Sequence, residues 1–111
     1  MVQTVLSRSE AAEFLETVAP YNGLPASQLS ALAEKVSTRH YANGEFVYKI
    51  DAPLEGLHII VSGTIDISDR DGKRVSQLAK RQSFGERGLL RDGKASTTAR
   101  AKTDAVTLLI P

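Results

Sequence analysis

Cysteine is absent from the 111 residues, which excludes a disulfide framework, thiolate catalysis and a thiolate metal centre. Histidine occurs only twice, as His40 and His58, too few for a His-rich metal site. Tryptophan is missing and aromatics make up 5% of the chain, so Leu, Ile, Val and Ala must fill the core. No apolar run approaches the ~20 residues that span a bilayer. The opening Met1-Val2-Gln3-Thr4-Val5-Leu6 lacks the basic start and long apolar stretch of a secretory leader. A cytoplasmic protein with no membrane partner is expected. The net charge of +1 gives no reason to expect nucleic acid. No Ser/His/Asp or paired-carboxylate set can be placed in one site, so the chain is expected not to be an enzyme.

What remains is the composition of one soluble domain, 41% hydrophobic and 24% charged. The positive charge is uneven: Lys80, Arg81, Arg87, Arg91, Lys94, Arg100 and Lys102 crowd the second half. Such a stretch suits an anionic partner and equally reads as a solvated face.

The first third carries helical periodicity. Ser7 and Glu10 have the spacing of a capping box, and Ala11, Phe14, Leu15 and Val18 follow as an amphipathic stripe. Pro20 disfavours helical geometry in the residue before it and so ends the helix. After the Asn22-Gly23 turn, Pro25 suits the first turn of a second helix, with Leu29, Leu32, Ala33 and Val36 as its stripe. From Thr38 the pattern changes to short apolar runs between turn residues. These are Phe46–Ile50 after Asn43-Gly44, Leu57–Val61 before Ser62-Gly63, and the alternating Thr64–Ser68 and Arg74–Leu78 around Asp69–Lys73. Strand-like Ser96–Ala101 and Val106–Ile110 close the series, and between them and Leu78 the glycine-flanked Ser83–Gly93 reads as a loop, a short helix and a turn. Closely spaced short strands with tight turns predict an antiparallel sandwich or barrel.

The ordered set Gly44-Glu45-Phe46-Val47, Leu57–Ile65 and Phe84-Gly85-Glu86 through Ala101 resembles the cyclic-nucleotide-binding domain family over about Leu24 to Ile110. The resemblance implies a mainly β fold with N-terminal helices: an antiparallel β-roll, or jelly-roll barrel, with a short helix in a phosphate-binding cassette. It divides the chain into a helical segment, 1–23, and the β-roll, 24–111. It makes Leu57–Ile65 a central hairpin with Gly63 as its turn glycine. It leads one to expect a lid helix after the last strand, a helix for which no residues follow Pro111 here. The run Phe84-Gly85-Glu86-Arg87-Gly88-Leu89-Leu90 followed by Arg91-Asp92-Gly93 is similar to one subgroup. In those bacterial signal-transduction proteins the domain precedes a CBS pair and a putative nucleotidyltransferase module, so downstream domains of the same protein are expected partners, with any catalysis residing in them.

By the same resemblance the site comprises Phe84, Gly85, Glu86, Arg87, Gly88, Leu89, Ala95, Ser96 and Thr97, and its ligand is cAMP, cGMP or another small anion. Gly85 would let the backbone approach the ligand, and Gly88 and Leu89 would offer amides from the first helical turn. Glu86 falls at the ribose position, where an ionised carboxylate accepts from a hydroxyl; it also reads as a first-turn acid in a favourable helix field. The family's phosphate-binding arginine falls at Ala95, with Lys94 where proline is usual. Neither residue reproduces the planar fork of donors that arginine offers two phosphate oxygens. Lys94, if the segment is extended, faces away from position 95. Arg87, Arg91 and Arg100 are cations of undetermined reach. Ser96 and Thr97 read as pocket hydroxyls or as ordinary strand residues. A pocket of hydroxyls and amides without arginine would hold an anion weakly or take a neutral ligand. Two functions follow: a regulatory module with weakened or altered cyclic nucleotide binding, or a ligand-free interaction module, a homodimer among its forms. No helix-turn-helix segment supports a DNA-binding role.

Overall fold

The computed structural model describes residues 5–111. Residues 1–4, which open the segment read above as lacking a leader, lie outside the described residues. Helix α1 spans Arg8–Leu15 and starts as its capping box dictates. Ser7 Oγ accepts from the Glu10 amide at 3.1 Å, and Glu10 Oε1 accepts from the Ser7 amide at 2.9 Å. Those hydrogen bonds hold the Glu10 carboxyl below its usual pKa. A 3-10 turn at Tyr21–Gly23 leads through Leu24-Pro25 into α2, Ala26–Lys35.

Eight strands follow: β1 Ser37–Tyr41, β2 Phe46–Tyr48, β3 Leu57–Ser62, β4 Ile65–Ser68, β5 Arg74–Leu78, β6 Ser83–Phe84, β7 Thr98–Ala101 and β8 Ala105–Ile110. A short helix, α3, Glu86–Arg91, lies between β6 and β7. All pairings are antiparallel, in two four-stranded sheets ordered β1-β8-β3-β6 and β2-β7-β4-β5. This is the antiparallel two-sheet arrangement that the strand pattern predicts and the β-roll that the resemblance implies. No helix among the described residues is long and apolar enough to cross a membrane.

Burial explains the two kinds of strand. Between the sheets lie Ile60, Ile65, Ile67, Phe84, Ala99, Ala101 and Ala105. On the other face of β3 and β8, Ile59 and Leu108 pack with Ala11, Leu15, Val18, Leu29 and Ala33 from the helical region. Strands β3 and β8 are covered on both faces, so Leu57–Val61 and Val106–Ile110 are nearly continuous apolar runs. Strand β4 is covered on one face only and alternates. Ile59, Ile60, Ile65 and Leu108 are each 0% exposed, and burying such a side chain contributes about 1.5–3 kcal/mol.

The expected hairpin at Gly63 is not there. Strands β3 and β4 belong to different sheets, and Gly63 carries the chain round the corner between them. Its φ is +84°, and a Cβ would stand 2.3 Å from the Asp104 carbonyl oxygen and 2.7 Å from Ala105 Cα. Two chain segments crowd at that corner, and glycine alone leaves room. The true hairpin is β4–β5, where the Asp69 carboxylate accepts from the amides of Asp71 at 3.0 Å and Lys73 at 2.9 Å. Asn43-Gly44 is likewise a tight turn between sheets, joining β1 to β2. The strand containing Ser96 is also shorter than expected, since β7 begins only at Thr98.

Candidate functional site

A cavity of about 350 Å³ opens beside α3, against one end of the β2-β7-β4-β5 sheet. That size lies within the roughly 300–1,000 Å³ usual for small-molecule sites. Its wall includes Phe84, Gly85, Glu86, Arg87, Gly88, Ala95, Ser96 and Thr97, eight of the nine residues singled out in the sequence. The remaining surface comes from Tyr48, Leu54, Ile67, Val75, Ser76, Leu78 and Ser83. Leu54, Ile67, Val75 and Leu78 form an apolar component; Ser76, Ser83, Ser96 and Thr97 supply hydroxyls.

Leu89 is the residue that does not reach the cavity wall. It is 39% exposed, and its amide already donates to the Gly85 carbonyl at 3.3 Å. The helix begins at Glu86, so its first amides without an intrahelical acceptor are those of Glu86, Arg87 and Gly88. The glycines divide their work differently from the sequence reading. Gly85 is required by its left-handed φ of +98°, while a Cβ there would find only ordinary contacts, 3.5 Å from the Gly56 oxygen. Gly88 is the residue of close approach: a Cβ would stand 2.2 Å from the Lys94 carbonyl oxygen. The first turn of α3 is thereby pressed against the segment that leads to Ala95.

The far end of the cassette is pinned by main-chain bonds to the 51–54 loop. Ala95 donates to the Ala52 carbonyl at 2.8 Å and accepts from the Asp51 amide at 2.8 Å; Leu54 donates to the Gly93 carbonyl at 2.8 Å. Ala95 is 2% exposed and lies in the cavity wall, whereas Lys94 is exposed, as opposite-facing neighbours should be. The position where the resemblance expects arginine therefore presents a methyl group.

Four of the surrounding arginines have partners of their own. Arg70 pairs with both oxygens of Asp51 at 3.1 and 3.2 Å. Arg74 lies 3.8 Å from Asp66, and Arg81 donates to Thr17 Oγ1 at 3.0 Å. Arg100 donates to the Gly44 carbonyl at 2.7 Å and covers the Phe46 ring at 4.8 Å. Of the basic residues in the second half, Arg87 is the one in the cavity wall.

Tyr48 escaped the sequence reading because it lies far along the chain from the cassette. Burial pushes its phenol up to about 12; a hydrogen bond with Thr97 opposes this, and the Glu86 charge adds to it. Tyr21 is also pushed up by burial and by Glu86. Phe84 stacks on His58 with ring centroids 4.9 Å apart and planes 7° apart, and Tyr48 lies 6.0 Å from Phe84. His58 is 6% exposed and bonded to Thr107 Oγ1 at 3.1 Å. Burial, then the Arg39 charge, lowers its pKa to about 4, so it is a neutral ring at pH 7 that anchors the start of the cassette. Val75 is apolar yet 54% exposed, and it shares the edge strand β5 with one other apolar residue, Leu78. No group of three His, Cys, Asp or Glu side chains suited to a metal occurs among the described residues.

Chemically, the cavity offers an acceptor for hydroxyls at Glu86, several hydroxyls, an apolar component and one cation. The sequence pattern of the family described as cyclic nucleotide-binding domain matches residues 38–111, about two thirds of the chain. The chain is 34% identical over 90 residues to a cAMP-dependent protein kinase regulatory subunit of Debaryomyces hansenii, covering 80% of this chain and 20% of that one. Among solved structures it is similar to the regulatory subunit of a cAMP-independent protein kinase A from Trypanosoma cruzi, bound to guanosine. That match has a TM-score of 0.83 and 25% identity, and covers 93% of this chain and 38% of that one. A Trypanosoma brucei counterpart with three substitutions, one of them threonine to arginine, is bound to cAMP in its A site. It matches with a TM-score of 0.84 and 27% identity over 93% of this chain and 39% of that one. The chain thus spans well under half the length of these relatives.

Proposed function

The chain belongs to the cyclic nucleotide-binding domain family, and we propose that it is a regulatory module whose cavity takes a purine nucleoside in preference to a cyclic nucleotide. The observation that carries this reading is the buried methyl of Ala95 in the cavity wall, where the resemblance calls for an arginine. A cyclic nucleotide brings one negative charge that must leave water. Without a bidentate partner its phosphodiester forfeits charge-assisted hydrogen bonds of about 1.5–3 kcal/mol each, roughly ten- to a hundredfold in affinity. A nucleoside brings no such charge and needs only what the cavity retains. Its ribose hydroxyls donate to Glu86, its base lies on Leu54, Ile67, Val75 and Leu78, and Ser76, Ser83, Ser96 and Thr97 meet its polar edges. The guanosine bound to the T. cruzi protein, itself called cAMP-independent, supports this choice of ligand class.

The reading extends to context. Family membership supports a regulatory domain, and the Phe84–Gly93 pattern points to a larger bacterial signal-transduction protein with CBS and nucleotidyltransferase modules as its output. Reading the gene that encodes the chain tests that context. Titration calorimetry tests the ligand. Guanosine or adenosine should bind at least tenfold more tightly than cAMP or cGMP. Cyclic nucleotides binding as tightly as the nucleosides, or better, would overturn the proposal. The second reading, an interaction module that keeps only the fold, is favoured by Ala95 as well; heat from none of the four ligands would establish it.

A further inference from the structure

One cation lines the cavity, and no group among the described residues answers it. Arg87 makes no ion pair, hydrogen bond or ring contact there, yet it lies in the cavity wall beside Glu86. Arg70 is engaged by Asp51, Arg81 by Thr17, and Arg100 by the Gly44 carbonyl and the Phe46 ring, while Arg91, at the other end of α3, is exposed and is not in the cavity wall. Lys94 faces solvent on the far side of Ala95 and is not in the wall.

We propose that Arg87 is the specificity-determining residue of this cavity, the cation that answers negative charge on a bound nucleotide in the absence of an arginine at position 95. The inference rests on the reading of the cavity as a nucleoside site and adds to it the group that sets how far charged ligands are penalised. Placement supports it. The first turn of α3 abuts the residues leading to Ala95, as the 2.2 Å approach of a Cβ on Gly88 to the Lys94 carbonyl shows, so Arg87 springs from the element that borders the vacant position. Chemistry supports it too. A guanidinium offers a planar fork to two phosphate oxygens and keeps its charge at any physiological pH. Glu86 and Arg87 together form an adjacent acceptor and donor pair: the carboxylate takes hydroxyl donors, and the guanidinium takes an anion. Because Arg87 is exposed, its contribution falls at the low end of charged hydrogen bonds and is screened by salt.

The test is calorimetry on the whole chain, wild type and Arg87→Ala, with cAMP, cGMP, adenosine and guanosine at low and high salt. The substitution should weaken both cyclic nucleotides about tenfold, leave both nucleosides within about twofold, and remove the salt dependence of cyclic nucleotide binding. If Arg87→Ala melts at a lower temperature than wild type, Arg87→Gln measured in the same way carries the test. Equal loss for all four ligands, or no loss for any, overturns the role of Arg87 and leaves the nucleoside site standing. Binding of none of the four by the wild type overturns both.

Discussion

Replacing Ala95 by arginine probes the missing charge directly. The backbone at this position is held on both sides, by the Ala52 carbonyl and the Asp51 amide at 2.8 Å each, so the new side chain cannot escape by moving the main chain. It must enter the cavity, which has about 350 Å³ to receive it. Overpacking a closed core costs about 1–3 kcal/mol, but an open cavity relieves most of that. Glu86, in the same wall, offsets the charge of the guanidinium. Against these costs stands a bidentate contact with the phosphodiester, each hydrogen bond contributing about 1.5–3 kcal/mol. Ala95→Arg should therefore strengthen cAMP and cGMP ten- to a hundredfold, at 1.4 kcal/mol per decade. Guanosine gains nothing from the fork and loses volume to it, so its affinity should stay level or fall. Calorimetry reads the binding, and a thermal melt confirms the fold. A folded Ala95→Arg protein whose cyclic nucleotide affinity is unchanged would refute the reasoning, because the charge would then not be what the cavity lacks.

Three further outcomes follow. Glu86→Gln should weaken guanosine about tenfold while leaving 2′-deoxyguanosine nearly unaffected, measured by competition, since the carboxylate is assigned to the ribose hydroxyl. Gly63→Ala should lower the melting temperature by several degrees, roughly 4–8 °C for each kcal/mol lost in a domain of this size, because a Cβ would stand 2.3 Å from the Asp104 oxygen at a φ of +84°. His58, lowered from 6.5 to about 4 in the fold, contributes stability that is fully present above pH 6.5 and is lost as pH falls through about 4. Chemical denaturation over that window should show wild type losing at most about 3 kcal/mol that His58→Phe does not lose; parallel pH profiles for the two proteins would remove His58 from the account.

The legible and illegible parts of this molecule differ in range. Local signals were read correctly where local physics decides: Ser7 and Glu10 bond to each other three residues apart, and the short helix beside Gly85 follows from its flanking residues. Gly63 was misread because a glycine that turns a hairpin and one that relieves crowding at a sheet corner leave the same trace in sequence; the crowding partner, Asp104, is forty-one positions on (104 against 63). The amide of Leu89 looks free in sequence and is not, because helix bounds shift by a residue and one residue decides whether an N–H is spent. Tyr48, Leu54 and Val75 join the cavity only through the pairing of distant strands, which no short window contains.

The central claim is that a nucleoside occupies the hollow beside α3. Amide chemical-shift mapping of the whole chain with guanosine tests it most directly. The account predicts saturable shifts concentrated at Gly85, Glu86, Arg87, Gly88, Ala95, Ser96 and Thr97, with the outer face of α1 unmoved. Shifts confined to other surfaces, or a spectrum indifferent to the nucleoside, would contradict it.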